Sequence, residues 1–171
     1  AWFDYVNDNG GINGRKIIYK MVDDSYEPAR TKSIVKRFVE RDKCFAIVAP
    51  LGSAPTAAVI DYIAENKVPL IGAGTGAAKN LEIQGPWVFP LYPSYFTEGQ
   101  TLVRFVKEQF GATKLAVLYQ NDPSGKTHLA GIQSVLDKYG VKLVDAEGYE
   151  PAELDVSSQV ISMKNSGADA V

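Results

Sequence analysis

The 171 residues carry 46% hydrophobic and 22% charged side chains and a formal net charge of −2, the balance of an ordinary globular fold. So small a charge gives no attraction to nucleic acid or to an anionic membrane surface. No apolar run approaches the ~20 residues that span a bilayer, and the lone Cys44 cannot close an intrachain disulfide.

In chain order, residues 1–7 read as a helix already under way, and Asn9-Gly10-Gly11-Ile12-Asn13-Gly14 as the turn that ends it. Residues 16–22 alternate as a strand. Asp23 and Asp24 follow; a cation is one use for this pair, turn and cap formation the other. A helix is expected from Pro28, proline suiting a first helical turn, with Ile34, Val35, Phe38 and Val39 as its apolar stripe. Residues 44–48 form a short apolar strand with Cys44 in the core. A helix over 56–64 and a strand over 68–71 come next.

A strand over 87–91 leads to a helix near 95–110. Strand 115–119, helix 128–139, strand 142–144 and helix 156–164 complete the series, and 166–171 begins another strand. His128 is expected on an exposed helical surface. Both ends read as cut, which makes the chain an internal fragment.

Alternating β and α units with continuous apolar strands predict α/β architecture, with parallel sheets covered on both faces. The stretch 83–91, IQGPWVFPL, breaks the rhythm and separates two βα series. The expected division is 1–92 as a first lobe lacking its first strand, 93–112 as crossover and helix, and 113–171 as the start of a second lobe. Ligands of open α/β sheets lie beyond the carboxyl ends of the strands, here 49–53, 72–76 and 119–124.

Two of those ends imitate phosphate sites. Gly72-Ala73-Gly74-Thr75-Gly76-Ala77 fits G-x-G-x-x-[GA]. However, Gly85-Pro86 leaves room only for a helix over 77–83, and no acid lies between Glu82 and Glu98 to hold a ribose. Gly125-Lys126-Thr127 ends like a P-loop, yet Gln120 replaces the first glycine and Pro123 removes an N–H. A degenerate P-loop nucleotide-binding enzyme is the enzymatic alternative. No G-x-S-x-G elbow and no zinc-ligand spacing is present, so other catalytic constellations are thin and no cofactor or metal is expected.

Set apart from phosphate, the same ends suit a small carboxylate. The loop Gly52-Ser53-Ala54 and the pair Gly74-Thr75 offer hydroxyls and main chain that no bulky side chain shields. Ser53 and Thr56 equally suit capping of their own helix.

The chain resembles the leucine/isoleucine/valine-binding family of type I periplasmic binding proteins, solute receptors of ABC transporters. The matching residues are 9–15 (NGGINGR), Asp23-Asp24, Gly52-Ser53 with Thr56, Val68-Pro69-Leu70-Ile71 running into Gly74-Thr75-Gly76-Ala77, Tyr119-Gln120-Asn121-Asp122 with Gly125, and Asp155-Val156-Ser157-Ser158. The resemblance implies two Rossmann-like lobes joined by crossover strands, an amino acid or other small carboxylate between them, and ABC transporter membrane subunits as partners. It further implies a periplasmic or extracellular location, with a membrane anchor through the missing N-terminus as one form of it, or a ligand-sensing domain of a membrane receptor as the alternative. Ser53, Gly74 and Thr75 inherit the carboxylate and amino-group contacts. Such families place an aromatic residue before the glycine of the second-lobe loop; here Ser124 stands there. Tyr119 or residues beyond Val171 are the expected replacement, and the departure opens the site to larger, more polar or aromatic solutes.

Overall fold

The computed structural model describes residues 2–77 and 85–171. After α1 (Trp2–Asp8) comes a tight turn in which Ile12 and Arg15 exchange backbone hydrogen bonds. Asn13 and Gly14 both take positive φ, as a two-residue reversal requires. Helix α2 (Pro28–Glu40) begins at the expected proline and buries Thr31 and Val35. Then follow β1 (Ile47–Val48), α3 (Ser53–Ala57), α4 (Ile60–Glu65), β2 (Leu70–Ile71), a 3-10 turn over Gly85–Trp87, and β3 (Val88–Phe89). The second series is α5 (Tyr95–Phe110), β4 (Lys114–Gln120), α6 (Pro123–Gln133), α7 (Leu136–Tyr139), β5 (Lys142–Tyr149) and α8 (Ser157–Asn165).

Strands β1, β2 and β3 pair in that order, all parallel, and β4 pairs parallel with β5. Ile47, Leu70 and Val88 stand in register on one face of the first sheet and bury against Val35, Val59, Ile60 and Ile63. On the opposite face Val48, Ile71 and Phe89 are about half exposed. Among the described residues, then, the first sheet is covered on one face rather than two. The second sheet packs Leu115 with Val103, Ile132 and Val141. Ala170 bridges to Leu115 in parallel sense, which is all of the expected last strand that pairs.

Several expected elements are corrected. Residues 16–22 form no strand: no described segment lies beside them to complete a ladder, and Ile18 and Met21 are largely exposed. Side-chain contacts order the segment instead: the Asn7 carboxamide accepts from the Ile17 N–H and donates to the Ile17 carbonyl, Tyr19 packs on Phe3, and Lys20 pairs with Asp42 at 3.1 Å. Cys44 precedes β1 and is only half-buried, beside a 90% exposed Phe45, because pairing with β2 starts at Ile47. The helix expected over 56–64 starts earlier, at Ser53, and breaks at Val59; the one expected over 128–139 starts at Pro123 and breaks at Val135. Strand β5 runs on to Tyr149 because β4 offers a partner residue at each position beyond a register shift at Leu115/Ala116.

Candidate functional site

Beyond β1 and β2 the two chains stay parallel for a few more residues. Gly74 N–H donates to the Pro50 carbonyl at 2.8 Å and Gly52 N–H to the Gly74 carbonyl at 3.2 Å. This short ladder sets the following residues side by side. Ser53 Oγ lies 2.6 Å from Thr75 Oγ1, with the two residues 2% and 1% exposed. Thr75 Oγ1 also accepts the Ala77 N–H at 3.1 Å.

The capping role open to Ser53 and Thr56 in the sequence is not the one they take. Gly52 is the N-cap of α3, at φ 102°, and no side chain caps the helix. Ser53 turns its hydroxyl to Thr75 instead. Thr56, inside the helix and fully buried, has no hydrogen-bond partner for its hydroxyl among the described residues.

The second series meets this corner through Asp122, which is 6% exposed. One carboxylate oxygen caps α6, accepting from Ser124 N–H at 2.8 Å and Gly125 N–H at 3.1 Å. The other accepts from the Gln120 amide at 2.6 Å and from the Tyr26 hydroxyl at 3.1 Å. Tyr26 comes from the turn before α2, where Asp23 and Asp24 accept the N–H groups of Ser25 and Tyr26 and Asp24 takes the Thr31 hydroxyl. Those bonds give the acidic pair a turn role; neither residue caps α2, whose N-cap is Glu27 without a side-chain cap bond. Burial first, then the Asp122 carboxylate, push the Tyr26 phenol above the usual tyrosine value.

Tyr26 was not singled out by sequence, and its signal was indirect. An added Cβ at Gly52 would lie 2.3 Å from Tyr26 Cε2. The glycine that suggests open main chain is the one that admits this ring. The remaining candidates are placed as follows. Ala54 is half-buried in α3 and Ser124 half-buried at the start of α6. Tyr119 lies over Gly148 of β5, whose added Cβ would come within 3.3 Å of the phenol oxygen. No described hydrogen bond joins Tyr119 to the Ser53–Thr75 pair. His128 is half-buried, not exposed: it stacks on Tyr95 at 4.3 Å, meets Glu98 Oε2 at 3.1 Å and bonds the Ser124 carbonyl.

Neither phosphate reading finds support in the geometry. Asp122 occupies the N–H groups that a P-loop would turn to phosphate, and an acid at that point repels an anion. At the other loop, a Cβ on Gly76 would sit 2.1 Å from the Pro93 carbonyl oxygen and 2.7 Å from the Tyr95 ring. That glycine is required by packing against the approach to α5. The helix expected over 77–83 lies outside the described residues.

The chain matches the family model described as "Periplasmic binding protein" over residues 1–171. It is 28% identical to an amino acid binding protein of Pseudomonas aeruginosa over 97% of its length, and 28% identical to a Leu/Ile/Val-binding protein homolog of Brucella abortus, also over 97%. It covers 44% of each of those proteins, so it spans less than half their length. Among solved structures, a substrate-binding periplasmic protein from Ralstonia solanacearum superposes with a TM-score of 0.85 at 29% identity, over 98% of this chain and 47% of that one. The branched-chain amino acid transporter substrate-binding protein of Streptococcus pneumoniae, in complex with isoleucine, superposes with 0.79 at 25% identity, over 95% and 46%.

Proposed function

Because the chain belongs to the periplasmic binding protein family, in its type I, branched-chain amino acid group, we propose that it is part of an extracytoplasmic solute receptor. The receptor delivers an amino acid or related small carboxylate to the membrane subunits of an ABC transporter. Its location is periplasmic or extracellular, and it performs no chemistry on its cargo. The solute lies between two lobes, divided as 1–92 and 113–171 with the crossover at 93–112. Closure bends the connection near Pro90 to Ser94, and bound solute shifts the population toward the closed form.

One observation carries this reading: the Ser53 and Thr75 hydroxyls, 22 residues apart in sequence, meet at 2.6 Å beyond adjacent strand ends. Open parallel sheets bind their ligands at such ends. In this reading the hydroxyls of Ser53 and Thr75, with the main chain of Gly52, Ala54 and Gly74, hold the carboxylate. Ser124 and Tyr119 are second-lobe candidates, and Ser124 is the better placed because its neighbour Asp122 already reaches this corner through Tyr26.

A thermal-shift screen of the full-length protein against amino acids and aromatic acids identifies the solute, and calorimetry with that solute tests the site. Ser53→Ala is expected to weaken binding by about 1–3 kcal/mol, the worth of a hydrogen bond to a charged group in a buried place. Affinity equal to wild type removes Ser53 from the site.

A further inference from the structure

The Tyr26 hydroxyl makes the kind of contact that a solute makes in a two-lobed receptor. Its ring packs against Gly52, where an added Cβ would lie 2.3 Å from Cε2, next to the Ser53–Thr75 pair. The hydroxyl donates to Asp122, 96 residues away at the head of α6. Gln120, at the end of β4, reaches the same hydroxyl at 3.5 Å and the same carboxylate at 2.6 Å. The bridge is therefore held from both sheets.

Two further features show that the arrangement is built for this ring. Gly52 leaves the space it fills, since any side chain there would collide with it. Asp122 is buried with both carboxylate oxygens doubly bonded, and Tyr26 supplies one of those four bonds. A buried carboxylate is costly unless its acceptors are met. Withdrawing Tyr26 as the lobes part thus takes a donor from Asp122. At the start of α6 itself Ser124 offers only a hydroxymethyl group, so the aromatic surface at this corner comes from the opposite lobe.

We propose that Tyr26 is a positioning residue for closure: its phenol latches the first lobe to Asp122 of the second, so that the closed cleft is populated before any solute enters. The solute then adds its own contacts to a bridge the protein has already made. The proposal rests on the two-lobed receptor reading, but its test is carried out without solute, so the two fail separately.

The full-length protein would carry Cys44→Ser with Glu65→Cys and Lys138→Cys, exposed positions in α4 and α7, labelled for single-molecule energy transfer. Solute-free wild type is expected to show a closed subpopulation. Tyr26→Phe keeps the ring and loses the hydroxyl; it should lower the closed-to-open ratio roughly tenfold, as loss of a hydrogen bond to a carboxylate implies. Asp122→Ser retains a capping oxygen for α6 but withdraws the carboxylate from Tyr26. It should lower the ratio similarly, and the double variant should lower it no further. A purely structural role for Tyr26 would give independent, additive effects. An unchanged ratio in Tyr26→Phe, additivity in the double variant, or no closed population in wild type overturns the latch. Failure of every solute screen, with the ratio still falling, overturns the transport reading and leaves the latch standing.

Discussion

Gly131→Ala puts the packing of α5 against α6 to a quantitative test. An ideal Cβ at Gly131 would lie 2.1 Å from the Phe96 carbonyl oxygen and 2.9 Å from Phe96 Cα. Reciprocally, a Cβ at Gly99 would lie 2.4 Å from the His128 carbonyl oxygen and 3.0 Å from Ile132 N. The helices therefore meet backbone to backbone through two glycines. The obstructing atoms are main chain and cannot rotate away, so the helices must part by about an ångström before a methyl fits. Overpacking costs about 1–3 kcal/mol, and the rigid obstruction places this site at the upper end. Better helix propensity returns about 1 kcal/mol. A net loss of about 2 kcal/mol follows. Urea unfolding of the full-length protein, followed by circular dichroism, measures it as a lower midpoint at unchanged slope. Adding Gly99→Ala should cost less than it does alone, because the helices have already separated. A midpoint at or above wild type for Gly131→Ala refutes the close-contact argument.

Two pH dependences follow from groups whose surroundings hold one charge state. The backbone N–H of Lys114 foremost, then the hydroxyl and N–H of Thr113, hold the Asp169 carboxyl below the ordinary carboxylate range. Its contribution to stability is complete above the unfolded value of about 4 and is lost as pH falls through the lower folded value. Unfolding curves through the acid range should lose less stability in Asp169→Asn than in wild type; parallel curves would sink the assignment. Tyr26 behaves in the opposite sense. Burial and the Asp122 carboxylate raise its folded value, so its contribution is complete below the usual tyrosine value of about 10 and is lost as pH rises through the folded one. Ultraviolet titration should show a late-ionising phase in wild type that shrinks by one phenol in Tyr26→Phe, Tyr62 also being raised; a late phase of unchanged size in the variant would contradict it.

Element order was readable because buried parallel strands must be apolar throughout and helices must show a 3.6-residue stripe. Val35 and Phe38 in α2, and Leu115 at the start of β4, carry those signals plainly. Element edges were less readable. The breaks at Val59 and Val135 occur where a valine adopts φ near −123° and −125°, with neither glycine nor proline at the break. They are set by packing, Val59 being fully buried and Val135 packed against the second core. The misread strand at 16–22 has a different cause. Alternation says that a segment can pair, and pairing itself depends on a neighbour.

The same division runs through the candidate site. Ser53 and Thr75 follow the ends of adjacent parallel strands, so the rule for strand ends brings them near each other from sequence alone. The bond between Tyr26 and Asp122 spans 96 residues and leaves no local pattern. What the sequence did carry was its imprint: a glycine at 52 where a ring needed room, and an aspartate two residues ahead of Ser124 to receive the phenol proton. In the proposed latch the aromatic ring at this corner is that of Tyr26, whose hydroxyl reaches the N-cap Asp122 two residues before Ser124. In that latch the ring would act on solutes through closure, because its hydroxyl is committed to Asp122.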